Sequence, residues 1–158
     1  MTPLTKNAAN TTQSPEAQLL RTLPAIARAI AAEVRRAGGD VQLTMPQFSA
    51  LRLLAGRDCS VSDIATTLHV ATPTVTQNID GMVSKELVKR YRDDRDRRLV
   101  LVRITKKGRS ALAKATRSVE AYLGDLLTSV PKERQVALAQ AAQEILDLVK
   151  VARSRRGS

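Results

Sequence analysis

Residues 92–105 read RDDRDRRLVLVRIT, four arginines and three aspartates followed at once by an apolar run. A solvated loop has no use for the apolar run, and a buried strand has none for the charges. The flanks resolve the conflict. Val88–Arg92 and Arg98–Ile104 are both rich in β-formers, and the charged residues 93–97 between them form a turn, which predicts a hairpin with a basic tip. The apolar run anchors the hairpin on a domain, and the arginines at its tip reach out toward a phosphate backbone or a minor groove. The aspartates hold those arginines extended and discourage them from folding back.

Upstream, Ser60-Val61-Ser62-Asp63 has the form of a capping box and opens a helix of about two turns with Ile64, Ala65 and Leu68 inward. His69-Val70-Ala71 connects it to a second helix, for which Thr72 serves as N-cap and Pro73 as first-turn residue, and which runs through Val75, Ile79, Met82 and Val83 to about Leu87. Two short helices joined this closely make a helix-turn-helix, although many core helix pairs share the spacing. The charged hairpin immediately after them turns the pattern into a winged helix. Further upstream, Thr44-Met45-Pro46-Gln47 is another capping box, with Phe48, Leu51 and Leu54 on the apolar face that follows. Before that, a long helix starts at Ser14-Pro15-Glu16, carries Leu19, Leu20, Leu23, Ile26, Ile30 and Val34, and ends at Gly38-Gly39. Pro24 should kink this helix or mark its true start. Residues 1–13 read as a disordered tail.

Downstream, Thr105-Lys106-Lys107-Gly108 caps a helix with Leu112, Ala115, Val119, Leu123 and Leu126 inward, reaching about Thr128. Ser129-Val130-Pro131 breaks it. A last helix with Val136, Ala139, Ala142, Ile145, Leu146 and Val149 precedes a basic tail, Arg153–Ser158. These terminal helices exceed what a small winged helix needs to cover its own core, so a homodimer built from both ends of the chain is the economical reading. The fold class is mainly α with a small β-hairpin wing. Residues 14–158 form one domain, with dimerisation helices at about 14–37 and 105–152 and the winged helix-turn-helix at about 44–104.

Charge and composition narrow the function. Lys85–Arg109 holds eleven basic residues against four acidic ones and so carries seven of the chain's net +11. A charge run alone is as readily a solvated surface, but next to a helix-turn-helix it favours double-stranded DNA. Aromatic residues are 2% of the chain, and Phe48, Tyr91 and Tyr122 are scattered, unlike the stacking platforms of single-strand and RNA binders. No apolar run approaches a bilayer span and MTPLTKNAANTTQS lacks a signal-peptide core, so a cytoplasmic protein without membrane contact is expected. The single cysteine, Cys59, rules out an internal disulfide. It is a free thiol in the loop before the third helix, with redox sensing the less favoured alternative. His69 reads as a helix-end residue rather than a metal ligand, because no Cys or His lies near it. Asp63 reads as a cap rather than a catalytic acid. Without a nucleophile, base and oxyanion set, the chain is not expected to be an enzyme or to need a metal or cofactor.

The segments LTMPQFSALRLLA, VSDIATTLHVATPTVTQNIDGMVSKELVKR and DDRDRRLVLVRITKKGR resemble the MarR (multiple antibiotic resistance regulator) family over roughly residues 15–152. The last resembles that family's wing, an Asp/Arg-rich turn followed by a strand ending in Leu-Thr and a glycine. The resemblance implies a triangular homodimer of winged helices that represses genes from a near-palindromic promoter site and is released by ligand or oxidation. Carried over by position, Arg95 is the minor-groove arginine of the wing, Asp93 and Arg97 shape the tip, and Thr72, Thr74, Thr76 and Gln77 face the major groove. Lys85 and Arg90 complete the expected DNA-binding set. The ligand implied is small and mostly apolar, aromatic or anionic, bound where the dimerising helices meet the winged helix. Four positions depart from the family pattern: Asp94 replaces a frequent proline, Glu86 and His69 replace glycines, and Gln77 replaces an arginine. Glutamine pairs well with adenine where arginine favours guanine. The competing function class is a nonspecific architectural DNA-binding protein.

Overall fold

Helix α1 (Pro15–Gly38) opens at Ser14, whose hydroxyl accepts the Ala17 N–H at 3.3 Å, with a proline at the first helical position where no N–H is needed. The computed structural model describes residues 14–94 and 96–156. The expected tail, 1–13, and Arg95 lie outside the described residues. Pro24 does not mark the start, since α1 runs continuously through it. Gly39 ends the helix at a φ of 48°, a conformation open to glycine without a Cβ penalty. A 3₁₀ turn, Gly39–Val41, leads to α2 (Met45–Gly56), which begins on the expected capping box between Thr44 and Gln47. The Ser60–Asp63 box likewise opens α3 (Val61–Leu68), and His69 terminates α3 in the left-handed region at φ 53°, ψ 48°.

Two local readings are corrected. The N-cap of α4 (Thr72–Ser84) is Ala71, not Thr72, and no side chain caps it. Cys59 is not in a loop: with Ser60 it forms a short strand, β1, whose partner is Val102 across the sheet. Its side chain is buried, and burial pushes the thiol above its ordinary range, which disfavours the reactive thiolate.

The hairpin is β2 (Val88–Arg92) and β3 (Val100–Ile104), and with β1 it makes an antiparallel sheet in the order β1-β3-β2. Helices α5 (Lys106–Leu127) and α6 (Lys132–Arg156) complete the chain. α4 stops at Ser84, short of Leu87, and Glu86 reverses the chain at φ 59°. The left-handed turn explains why a glycine suits this position. α6 extends through Arg153, so the expected basic tail is helical as far as Arg156.

The described residues divide into two compact units, one ending at Val119 and the other starting at Glu120. In the first, Val34, Leu43, Leu51, Leu54, Ile64, Ile79, Met82, Leu87, Val102 and Ala115 are wholly or almost wholly buried. Every buried apolar side chain among the described residues lies between Val34 and Ala115. The root of the hairpin is locked to α5 by one oxygen, the Leu87 carbonyl, which accepts from the Thr105 N–H and hydroxyl at 3.0 Å each. Thr105 also caps α5 by accepting the Gly108 N–H at 3.0 Å. In the second unit Gln135 closes the end of α5, donating to the Leu127 and Val130 carbonyls at 3.0 and 2.8 Å. There Leu138, Leu146, Leu148, Val149 and Val151 of α6 all stand exposed.

Candidate nucleic-acid interface

α3 and α4 are the helix-turn-helix. Val75, Ile79 and Met82 bind α4 to the core, which turns Thr72, Thr76, Gln77 and Asp80 to solvent. The three threonines do not form one face. Thr74 borders an apolar hollow of about 360 Å³ between α2, α3 and α4, shared with Met45, Leu68 and Asn78. The Thr76 hydroxyl donates back to the Thr72 carbonyl at 3.0 Å. Gln77 is exposed and has no side-chain hydrogen bond among the described residues, so its amide can present both a donor and an acceptor to a base edge.

The wing tip is built by its aspartates, which bind the backbone of the turn. Asp93 accepts the Asp96 N–H through Oδ1 at 3.1 Å, and Asp96 accepts the Arg98 N–H at 3.0 Å and its Nε–H at 3.3 Å. Leu99 N–H closes the turn on the Asp96 carbonyl at 2.9 Å. Short polar side chains here satisfy backbone donors and so fix the turn. Asp96 bonds Arg98 through Nε while the rest of that side chain stands in solvent, 93% exposed. Asp93 belongs to the tip as a turn residue.

Structural partners sort the cations of the hairpin. Arg90 lies 2.6 Å from Asp80 and ties β2 to α4; Lys107 pairs with Glu86 at 3.0 Å. Lys85 turns inward, donating to the Gln42 carbonyl at 3.0 Å and to Gln47 Oε1 at 3.3 Å, which links the end of α4 to the segment entering α2. Among the described residues no ion pair engages Lys89, Arg92 or Arg97, and all three are exposed. The field outside the hairpin is therefore positive and its unpaired charge is concentrated on the strand edge and tip.

Sequence reading missed one cluster. Asp58, just before β1, accepts hydrogen bonds from Tyr91 of β2 at 2.6 Å and from Arg103 Nε of β3 at 2.8 Å. The Arg103 hydrogen bond, joined by that of Tyr91, holds the Asp58 carboxyl below its ordinary range despite an opposing effect of burial. These residues lie 33 and 45 positions from Asp58, and no local pattern announces them.

The MarR family pattern matches residues 43–100, the span from α2 through the wing. YsmB, an HTH-type transcriptional regulator of Bacillus subtilis (strain 168), is 30% identical over 111 residues, which cover 67% of this chain and 76% of YsmB. The chain belongs to the MarR family. The family is one of transcriptional regulators, and its winged-helix fold accounts for the element order and sheet found here. The transcriptional regulator BldR from Sulfolobus solfataricus has a similar crystal structure at 29% identity, with a TM-score of 0.66 over 84% of this chain and 94% of BldR. A mutant MarR from E. coli, crystallised with operator DNA, shares the fold at 20% identity, with a TM-score of 0.67 over 82% of this chain and 94% of that one. No described helix of this MarR-family chain is long and apolar enough to cross a membrane.

Proposed function

We propose that this MarR-family regulator is a homodimeric repressor that reads a near-palindromic operator in the cytoplasm, with α4 in the major groove and the wing on the flanking backbone and minor groove. The observation that carries this reading is the pairing of an outward, uncommitted Gln77 with unpaired cations on the adjoining wing, Lys89, Arg92 and Arg97. Arg95 is proposed as the minor-groove arginine and Asp93 as the residue that shapes its turn. Thr72 and Thr76 are proposed to meet the backbone at the start of α4, where no side chain caps the helix and its positive end favours phosphate. The likeness to a MarR that was crystallised with operator DNA supports the same docking. Exposed Leu19, Leu20, Leu23 and Ile26 on α1, with the apolar side chains of α6, support the dimer.

Operator fragments recovered from the genome, titrated against random duplex across a salt series, test the reading. Specific recognition and nonspecific architectural binding separate here, because only the first survives excess random DNA. Gln77→Ala should cost about 1–3 kcal/mol on the operator and leave the salt slope unchanged. Arg97→Ala should weaken operator and random duplex alike and reduce the slope by about 0.9 for each lost phosphate contact. Lys85→Met should leave the slope intact, since its ammonium is committed to Gln42 and Gln47. An Arg97→Ala protein with unaltered affinity and slope removes the wing from the interface.

Release by a small ligand is supported by a groove of about 390 Å³ between α2 and α5, where Leu112, Ala113 and Thr116 lie beside Arg109 and Arg117. An aromatic carboxylate matches an apolar floor with two guanidinium groups. Such a ligand acts only by preferring a spacing of the recognition helices other than the DNA-bound one. Aromatic weak acids at millimolar concentration should raise the melting temperature and release operator DNA. Neither effect across a chemically varied set would remove the ligand.

A further inference from the structure

The outer half of the wing has little core to stand on. In β2 only Val88 is buried, and at the distal end of the hairpin Leu99 and Val100 are 40% and 42% exposed. Backbone pairing alone leaves such a two-stranded ribbon free to bend and twist about its root. Beyond the Arg90–Asp80 pair near the root, a side-chain cluster further out opposes that freedom. Tyr91 donates its phenolic O–H to Asp58 Oδ2 at 2.6 Å, and Arg103 donates its Nε–H to the same oxygen at 2.8 Å. The terminal nitrogen of Arg103 lies 2.6 Å from that oxygen and also donates to the Tyr91 hydroxyl at 3.0 Å. The guanidinium stacks 4.4 Å from the centre of the Tyr91 ring. Both strands of the wing are thereby fastened to a segment that is itself fixed by β1 pairing, Cys59 with Val102 and Ser60 with Leu101.

Asp58 has no other evident purpose. A carboxylate close to a basic surface opposes DNA by charge alone, and Asp58 is neither a helix cap nor part of the turn. We propose that Asp58, Tyr91 and Arg103 are positioning residues that lock the angle of the wing, so that its tip meets the groove in register with α4. The inference rests on the DNA-reading function proposed above. The lock contributes specificity because a wing of fixed angle loses less conformational freedom on binding the correct site, and because a wrong angle sacrifices either the wing contact or the Gln77 contact.

The lock makes a prediction opposite in sign to electrostatics. Asp58→Ala removes a negative charge, so charge alone would tighten binding to every duplex. With the lock, affinity for the recovered operator should instead fall about three- to tenfold, while binding to random duplex stays equal or tightens. Tyr91→Phe, which changes no charge, should lower operator affinity in the same direction and leave random binding as it was. Both are measured by fluorescence anisotropy at a temperature where circular dichroism finds each variant folded. Hydrogen exchange supplies a readout without DNA: the Asp93 and Leu99 amides of the turn should exchange faster in both variants, with core amides of α2 unchanged. If both variants bind the operator at wild-type strength or better with unaltered turn exchange, the lock is overturned. A wild-type protein that does not prefer operator over random duplex would instead overturn the DNA-reading function, and the exchange rates would still report whether the lock exists.

Discussion

Gly108→Ala is expected to destabilise the protein by about 3 kcal/mol, the upper part of the range for forcing extra volume into a packed site. A Cβ at this position would stand 2.1 Å from the Leu87 carbonyl oxygen and 2.9 Å from Ile104 Cγ1. The oxygen cannot retreat without loss, because it holds the Thr105 N–H and hydroxyl and so joins the hairpin root to α5. A change of that size should lower the thermal midpoint by about 6–12 °C, read by circular dichroism. Gly124→Ala, in the same helix, provides the contrast. A Cβ there meets nothing within 4 Å, so the substitution should gain the helix propensity of alanine, about 1 kcal/mol, and raise the midpoint. Equal effects at both positions would show that the contact with Leu87 does not decide the outcome.

Gly108 also marks the limit of what could be read in the sequence. The glycine after Thr-Lys-Lys stood out as part of a pattern, but the reason for it, a carbonyl 21 positions earlier, becomes visible only once the hairpin folds back onto the start of α5. Most of the local chemistry was legible. The capping boxes at Thr44 and Ser60, the left-handed end of α3 at His69 and strand β2 depend on residues within a few positions of one another and stand as expected, whereas β3 begins at Val100, two residues after the expected Arg98. The N-cap of α4 was not legible, because a threonine before a proline suits the cap and the first turn equally, and Pro73 takes the second position. β1 is two residues long, too short for any alternation to show. The candidate interface divides along the same line. Its outline follows from charge density, but which cations are committed within the protein depends on partners distant in the chain: Gln42 for Lys85, Asp80 for Arg90, Asp58 for Arg103. Helical phase separates Thr74 from Thr76, which are two residues apart and so lie on different sides of α4, both exposed.

Removing residues 131–158 is expected to leave a folded winged helix that no longer dimerises and binds its operator about 10²–10⁴-fold more weakly. The first part follows from where the core lies: among the described residues no side chain of α6 is buried and the core ends at Ala115, so the truncation takes nothing from it. The second part follows from what α6 exposes. Leu148 is 69% exposed and Val136 57%, and burying a side chain of this size contributes about 1.5–3 kcal/mol. Several such residues along one helix are enough to hold a dimer and too many for a monomer to leave in water. Loss of the dimer affects affinity more than any single contact can, because each protomer then binds its half-site alone and the second recognition helix is no longer delivered at high local concentration. The salt slope should fall by about half, since the number of phosphates neutralised per complex halves. Sedimentation and operator titration at matched salt decide the matter. A truncated monomer with the affinity of the intact chain would show that dimerisation is not how this protein binds DNA, and a truncated dimer would move the interface to α1, where Leu20 is 76% exposed.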